Sequence, residues 1–449
     1  MTDYLRGFGL PFWLDIDRPV YPCLTGDHRA DAVVIGGGIA GLKIADYLAG
    51  HGMSSIVLEA ARVGDGASSR NQGCIVSYLA TPYEQLAAKV TRSTARSLFA
   101  VGNYNHQLLA DQIARHEIEC DYEILGQTML VDERLPGWQQ KLKAFRRDVL
   151  LLKEDGFEAE YLEPSDAEAL TGSSRYAGGF IFPRDAQFHS GKFVIGLGKA
   201  VGRSKYVQIF EDSPAAVGRT TAGATIARTP LGSVTAPHIF LATNAFVPQL
   251  IPDLNGALRA ERGQAFVTEP LDIRPCAGCF STGAAWWREI PDNGDQYRLL
   301  FGGGRRRDEP ESLFRQFTTK STPNRRLQTQ GSRPTVAHQR RLDRYFARYF
   351  PHLVGAKISH RWGGLQSFTF DGLPIIGLLD PGRGIYGIAG FSGMGNTYSN
   401  VGAAYLAARV AGAHGDLERR FGPTIELLMA ENRDSSQWPG GEPTLSRTS

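Results

Sequence analysis

The chain has 449 residues, 42% of them hydrophobic and 21% charged, with a formal net charge of +3. That length exceeds one ordinary core, so two domains interleaved along the sequence are expected. The weak charge bias argues against nucleic-acid binding, and the lack of any 18-residue apolar run argues against a membrane span. Arginine groups at Arg305 to Arg307, Arg325–Arg326 and Arg340–Arg341 read as solvated loops. Residues 1–19 contain acids and prolines where a signal peptide needs an apolar stretch, and only five cysteines follow, which points to a reducing cytoplasm. Cys276 and Cys279 have CxxC spacing, but no second pair or nearby histidine completes four ligands. They read as incidental thiols, and no metal is expected.

In chain order, residues 32–35 (AVVI) form an unbroken apolar run, the pattern of a strand buried on both faces of a parallel sheet. Gly36, Gly38 and Gly41 then give GxGxxG: a tight turn, a close backbone approach to a pyrophosphate, and a helix packed close to its strand. Residues 39–49 read as that helix, with Leu42, Ala45 and Leu48 on its inward face. Its amino end, at Ile39 and Ala40, offers unpaired N–H groups and a partial positive charge to phosphates. Residues 55–58 form the second strand, and Glu59, 18 residues beyond Gly41, stands where a carboxylate accepts ribose hydroxyls and repels a 2′-phosphate. Strand, glycines, helix, strand and acid in register specify a dinucleotide site.

A glycine- and serine-rich stretch follows over 60–73. Residues 83–118 read as amphipathic helix. His189, in a middle return before another helix, reads as structural. Residues 238–245 read as a strand ending in Ala242-Thr243-Asn244, and 264–268 and 297–302 as strands of a second sheet. Trp286 and Trp287 suit either an aromatic pocket or the core. The polar segment 307–336 suits a surface excursion or lid, 385–389 a buried strand, 399–410 a helix of small residues, and 434–449 a frayed tail.

The 66–73 loop (GASSRNQG), the 238–245 strand, the 362–377 segment and the 387–395 turn (GIAGFSGMG) together resemble the D-amino-acid oxidase/glycine oxidase superfamily, nearest to γ-glutamylputrescine oxidase-like amine oxidases. The resemblance spans roughly residues 10–412. It implies a Rossmann-like FAD-binding domain of the glutathione-reductase type with an interleaved α+β substrate domain on a mixed or antiparallel sheet. The ranges expected are 1–30 for an N-terminal extension, 25–85, 165–235 and 355–412 for the FAD domain, and 86–164 and 240–350 for the substrate domain.

The same resemblance implies oxidation of a C–N bond by hydride transfer to flavin N5, imine hydrolysis, and reoxidation by O2 to H2O2 in a monomer or homodimer. The alternatives are a flavin dehydrogenase or tailoring oxidase on a larger substrate with another acceptor, or a flavoprotein subunit of a heteromeric amine dehydrogenase. Implied cofactor contacts, beyond Gly36, Gly38, Ile39, Ala40, Gly41 and Glu59, are Ala60, Ala67, Ser68, Ser69, Arg70, Asn71, Gln72, Gly73, Ala242, Thr243, Gly364, Gly390, Gly393, Met394, Gly395 and Asn396. Relatives that bind FAD covalently carry a cysteine where this chain has Gly364, so FAD is expected to be non-covalent. Relatives grip an α-carboxylate with a lysine where this chain has Thr397 and an arginine where it has Gly73, which directs the expectation to an amine whose carboxylate is distant or absent. Asn244 replaces a family glycine and suits it, because Asn tolerates left-handed backbone. Met394 is expected on the substrate side, and Arg298 is the nearest cation for oxygen activation.

Overall fold

In a computed structural model of the chain, residues 8–254, 257–304, 332–369 and 371–413 are described, with scattered residues from 415 to 428. The 434–449 tail and nearly all of 307–336 lie outside the described residues.

A six-stranded sheet runs in the order Val207–Phe210, Ser55–Leu58, Ala32–Ile35, His238–Leu241, Ile385–Ala389, Ile375–Asp380. All neighbours are parallel except the last pair. Every residue of Ala32–Ile35 and Ser55–Leu58 is buried, as an unbroken apolar run requires when both sheet faces are covered. Val34, Val57 and Phe240 face a core that includes Leu42, Ala45 and Leu48 of the helix Ile39–Gly50. Val33, Ile56 and Leu241 face the opposite core, with Val247 and Leu250. Burial of Leu42 and Leu48, each fully enclosed, stabilises by roughly 1.5–3 kcal/mol per side chain.

The second, eight-stranded sheet runs Ile358–Thr369, Leu258–Thr268, Tyr297–Gly303, Ala285–Pro291, Cys279–Ser281, Gln127–Asp132, Tyr176–Phe182, Glu160–Leu162. It is antiparallel save for the parallel pair of Cys279–Ser281 with Gln127–Asp132. This is the mixed sheet the resemblance implies. The expected domain ranges shift, however: Tyr176–Phe182 and Ile358–Thr369 belong to this sheet, whereas His238–Leu241 belongs to the nucleotide sheet. Residues 83–118 divide into two helices, Tyr83–Lys89 and Arg92–Arg115, with Thr91 capping the second by accepting Thr94 N–H. The longer helix packs on the nucleotide unit, where Asp46 accepts Gln112 Nε2 at 2.6 Å and pairs with His116 Nε2 at 2.8 Å.

The segment near residue 13 is more than an extension. Trp13 is fully buried, and its indole N–H donates to Asn71 O at 2.8 Å, so it braces the loop after Glu59. His189 caps the helix Ser190–Val201 by accepting Lys192 N–H, and burial holds its imidazole down to about 4. That is the structural role its position in the sequence indicates.

Candidate active site

One cavity of about 890 Å³ runs from the glycine turn to the second sheet, within the range of small-molecule and cofactor sites. At its nucleotide end stand Gly36, Gly38, Ile39, Ala40, Glu59 and Ala60. Gly36 has φ +112°, and a Cβ there would lie 2.6 Å from Ala242 O, so the turn admits only glycine. A Cβ on Gly41 would run into Gly36 O and sit 3.1 Å from Val34 Cγ1, which explains the third glycine as a packing requirement. Gly41 accordingly lies behind the cavity wall.

The Glu59 carboxylate accepts Gly37 N–H at 2.7 Å and Ala61 N–H at 2.9 Å. Burial pushes its pKa up to about 7, against those two hydrogen bonds, which act in the opposite sense. A raised carboxylate stabilises the fold fully below its ordinary value near 4.5 and loses that contribution as pH rises through about 7. The thermal midpoint of flavin-free protein should therefore fall between those two pH values, and Glu59→Gln should flatten the fall. A variant whose midpoint tracks wild type across that window would remove Glu59 as the cause.

Ala67, Ser68, Arg70, Asn71 and Gln72 form the next part of the wall. Ser68 Oγ accepts Ile39 N–H at 2.8 Å, so the loop is seated on the helix end. Arg70 is half-buried, donating to Asp65 O at 2.8 Å and Gly363 O at 3.1 Å, and desolvation lowers its guanidinium to about 10. Gly364 has no room for a side chain, since a Cβ there would lie 2.8 Å from Arg70 Cβ. Ser69 is fully buried and Gly73 is packed against Phe188 O and Arg288, so both support the loop from behind. Gly390 likewise packs on Thr369 and Leu258 instead of lining the cavity.

Ala242, Thr243 and Asn244 line the middle. Asn244 has φ +50°, as a residue in a glycine position must, and its side chain also works: Nδ2 donates to Leu365 O at 3.1 Å and Oδ1 accepts Ser367 O–H at 2.5 Å. It thereby ties the nucleotide sheet to the second sheet. At the far end Gly393, Met394, Gly395 and Asn396 line the wall, and the helix Gly395–Val410 begins four residues earlier than its small-residue pattern indicates. Its amino end lies at the cavity, where its dipole favours negative charge. A Cβ on Gly393, at φ +96°, would meet nothing within 4 Å, which leaves open space in the cradle.

Two expectations change, and one open alternative divides between its two residues. Arg298 does not line the cavity: its guanidinium pairs with Asp292, donates to Thr268 O at 3.0 Å and Ser359 Oγ at 3.3 Å, and lies over the Phe12 ring. It shares a sheet face with Trp286, which pairs with Gly302, but stands four residues along the strand from Gly302, beyond the cavity wall. Cys279 is not an incidental thiol but is joined to Cys74 as a disulfide, while Cys276 remains free. Trp286 lines the cavity, whereas Trp287 is buried among Phe280, Phe301 and Tyr349. The sequence reading missed Tyr78, Met129, Gln264, Tyr345 and Gln366, which wall the cavity beyond the loop. They come from five separated segments with no local signature. Among the described residues no group of His, Cys, Asp or Glu is placed to hold a metal, and no helix is long and apolar enough to cross a membrane.

Sheet order, glycine turn, acid and a cavity continuing to a second sheet define a two-unit dinucleotide-dependent enzyme. The signature of the FAD dependent oxidoreductase family matches residues 31–409, and the chain belongs to that family. It is 28% identical over 413 residues to gamma-glutamylputrescine oxidoreductase of Escherichia coli (strain K12), covering 89% of this chain and 87% of that one. It is 26% identical over 435 residues to the probable oxidoreductase OrdL of Rhizobium meliloti (strain 1021), covering 95% and 91%. Similar solved structures include glycine oxidase from Geobacillus kaustophilus (TM-score 0.69, 18% identity, 88% of this chain and 98% of that one). L-amino acid deaminase from Proteus myxofaciens superposes with a TM-score of 0.70 at 16% identity, covering 96% and 98%. The glycine turn, the Glu59 carboxylate and the open cradle at Gly393 fit FAD.

Proposed function

We propose that the enzyme oxidises the C–N bond of a primary or secondary amine whose carboxylate is distant or absent, in the manner of γ-glutamylputrescine, using non-covalent FAD and passing electrons to O2. The observation that carries this reading is the state of Thr397. Its side chain is 1% exposed, and Oγ1 donates to Val76 O at 2.6 Å while receiving Val76 N–H at 3.3 Å, so it offers a substrate carboxylate nothing. Gly73 supports the same reading, because a Cβ there would lie 2.6 Å from Phe188 O.

When bound, FAD supplies a two-electron oxidant. Gly38, Ile39 and Ala40 would hold its pyrophosphate, Glu59 its ribose, and Gly395 and Asn396 its pyrimidine end. Tyr78, Trp286, Tyr345, Gln264 and Gln366 then enclose the amine, orient its carbon and exclude water. Met394 stands on the same side, packed near Cys74, Val76 and Cys279. The reading includes a cytoplasmic monomer or homodimer.

The position of Arg298 favours a second reading, a dehydrogenase with an acceptor other than oxygen. Purified holoenzyme should lose its yellow colour anaerobically with γ-glutamylputrescine faster than with glycine or sarcosine, and release peroxide in air. Bleaching without peroxide would move the assignment to the dehydrogenase. Preference for glycine would overturn the substrate class.

A further inference from the structure

We propose that Cys74 and Cys279 are a thiol–disulfide modification site that fastens the flavin loop to the substrate sheet when oxidised and frees it when reduced. The two residues are 205 apart in sequence and come from different structural units, yet they are joined as a disulfide. Cys74 lies two residues past Gln72 on the loop wall, and Cys279 two residues before Ser281 on the opposite wall. One covalent link therefore sets the spacing of both walls. It also reaches the pyrimidine end, because Cys74 O accepts Asn396 Nδ2 at 3.0 Å and Met394 packs against the cluster of Cys74, Val76 and Cys279.

Its surroundings favour a reversible pair over an inert one. Cys279 Sγ lies 3.6 Å from Gln187 Oε1. Gln127, in register with Cys279 on the neighbouring strand, is 1% exposed and has no partner for either amide atom. Buried amide groups left free beside a sulfur are donors and acceptors for a thiol or sulfenic acid. The two other buried cysteines have no disulfide partner, and burial pushes the Cys120 thiol up to about 12 and the Cys276 thiol higher still. Cys23 is exposed and unpaired. Disulfides of reducing compartments are mostly transient, catalytic or redox-sensing.

Closing the pair removes two electrons and two protons. With a hydroperoxide as oxidant, one sulfur attacks the peroxide oxygen and breaks the O–O bond, leaving a sulfenic acid and one water or alcohol. The second sulfur then displaces water as the S–S bond forms, so two thiols and one hydrogen peroxide give one disulfide and two waters. A dithiol reductant reverses the link and is itself oxidised to its disulfide.

The inference needs the flavin loop but not the amine assignment. In holoenzyme treated with hydrogen peroxide, non-reducing peptide mapping should find the peptides of Cys74 and Cys279 linked. Dithiothreitol should then lower the Tm by roughly 5 °C and weaken FAD binding about fivefold. Cys74→Ala/Cys279→Ala should match reduced wild type and ignore reductant, while Cys23→Ser should respond as wild type does. Absence of the linked peptide after peroxide overturns the proposal, as does an equal response of wild type and double variant to dithiothreitol. Failure to oxidise any amine would defeat the proposed function and leave both of these results readable.

Discussion

Gly41→Ala is expected to abolish FAD uptake. The added Cβ would collide with Gly36 O while Val34 Cγ1 stands 3.1 Å away, so the helix Ile39–Gly50 must move off the central strand. Overpacking of this kind costs about 1–3 kcal/mol or more, and the displacement carries the helix end away from the phosphates. Gly38→Ala separates the effect on the fold from the effect on the site. Its φ is −84°, which alanine adopts freely, and its Cβ would meet the Ser68 side chain, with Oγ at 2.8 Å, which can rotate aside by giving up the one hydrogen bond from Ile39 N–H. That variant should unfold with wild-type Tm and bind FAD about tenfold more weakly, equivalent to about 1.4 kcal/mol. Wild-type FAD affinity in Gly41→Ala, measured by flavin fluorescence titration, would contradict the phosphate placement.

Arg288→Ala should be nearly as damaging, through a residue that never enters the cavity. Its guanidinium is buried on the substrate sheet, 5.5 Å from the Trp13 ring centroid. Nη1 donates to Gly73 O at 2.7 Å and Phe188 O at 3.1 Å, and Nε to Glu289 O at 3.1 Å. Desolvation lowers the guanidinium to about 10, an expense its three carbonyl partners offset. Truncation takes a donor from each of them, at about 1–3 kcal/mol for a buried group left unpaired, though Gly73 O keeps the Phe188 N–H at 2.9 Å. Urea unfolding should report a loss of about 3 kcal/mol, and FAD should dissociate faster as the Gly73 turn loosens. Arg288→Lys should recover part of the stability and little of the loop order, because a point ammonium lacks the planar fork. Full recovery by lysine would mean that charge alone holds the turn.

What was legible in the sequence was local. Residues 32–59 announce themselves because strand, turn, helix and acid are contiguous and the glycine spacing is itself the signal, although the atom that excludes a side chain at Gly36, Ala242 O, comes from a distant strand. Asn244 was readable for the same reason, as one residue with one backbone need. The second sheet's strands were visible as apolar runs, but their partners were not. Gln127–Asp132 lies between Cys279–Ser281 and Tyr176–Phe182 in space, an order that no periodicity encodes. Arg298 shows the same limit at the scale of one side chain: its strand was right, but how far along that strand the cavity reaches, and that Asp292, Thr268 O and Ser359 hold the guanidinium, depend on segments distant in sequence. The Cys74–Cys279 link joins segments 205 residues apart, while the nearby CxxC spacing drew attention to the wrong partner. Trp13 falls inside the span of the family resemblance, but nothing in the sequence gives the bracing role of Trp13 or Arg288, which act on the loop from outside the nucleotide motif.

FAD occupying the cavity between the two sheets is what every role assigned above requires. The most direct measurement is titration of flavin-stripped protein with FAD, followed by the visible spectrum and by tryptophan emission from Trp286 on the cavity wall. Saturation at one FAD per chain, quenching in wild type that diminishes in Trp286→Phe, and full release of the flavin on denaturation are predicted. A protein that takes up no FAD, or takes it up with Trp286 emission unchanged, would contradict the account.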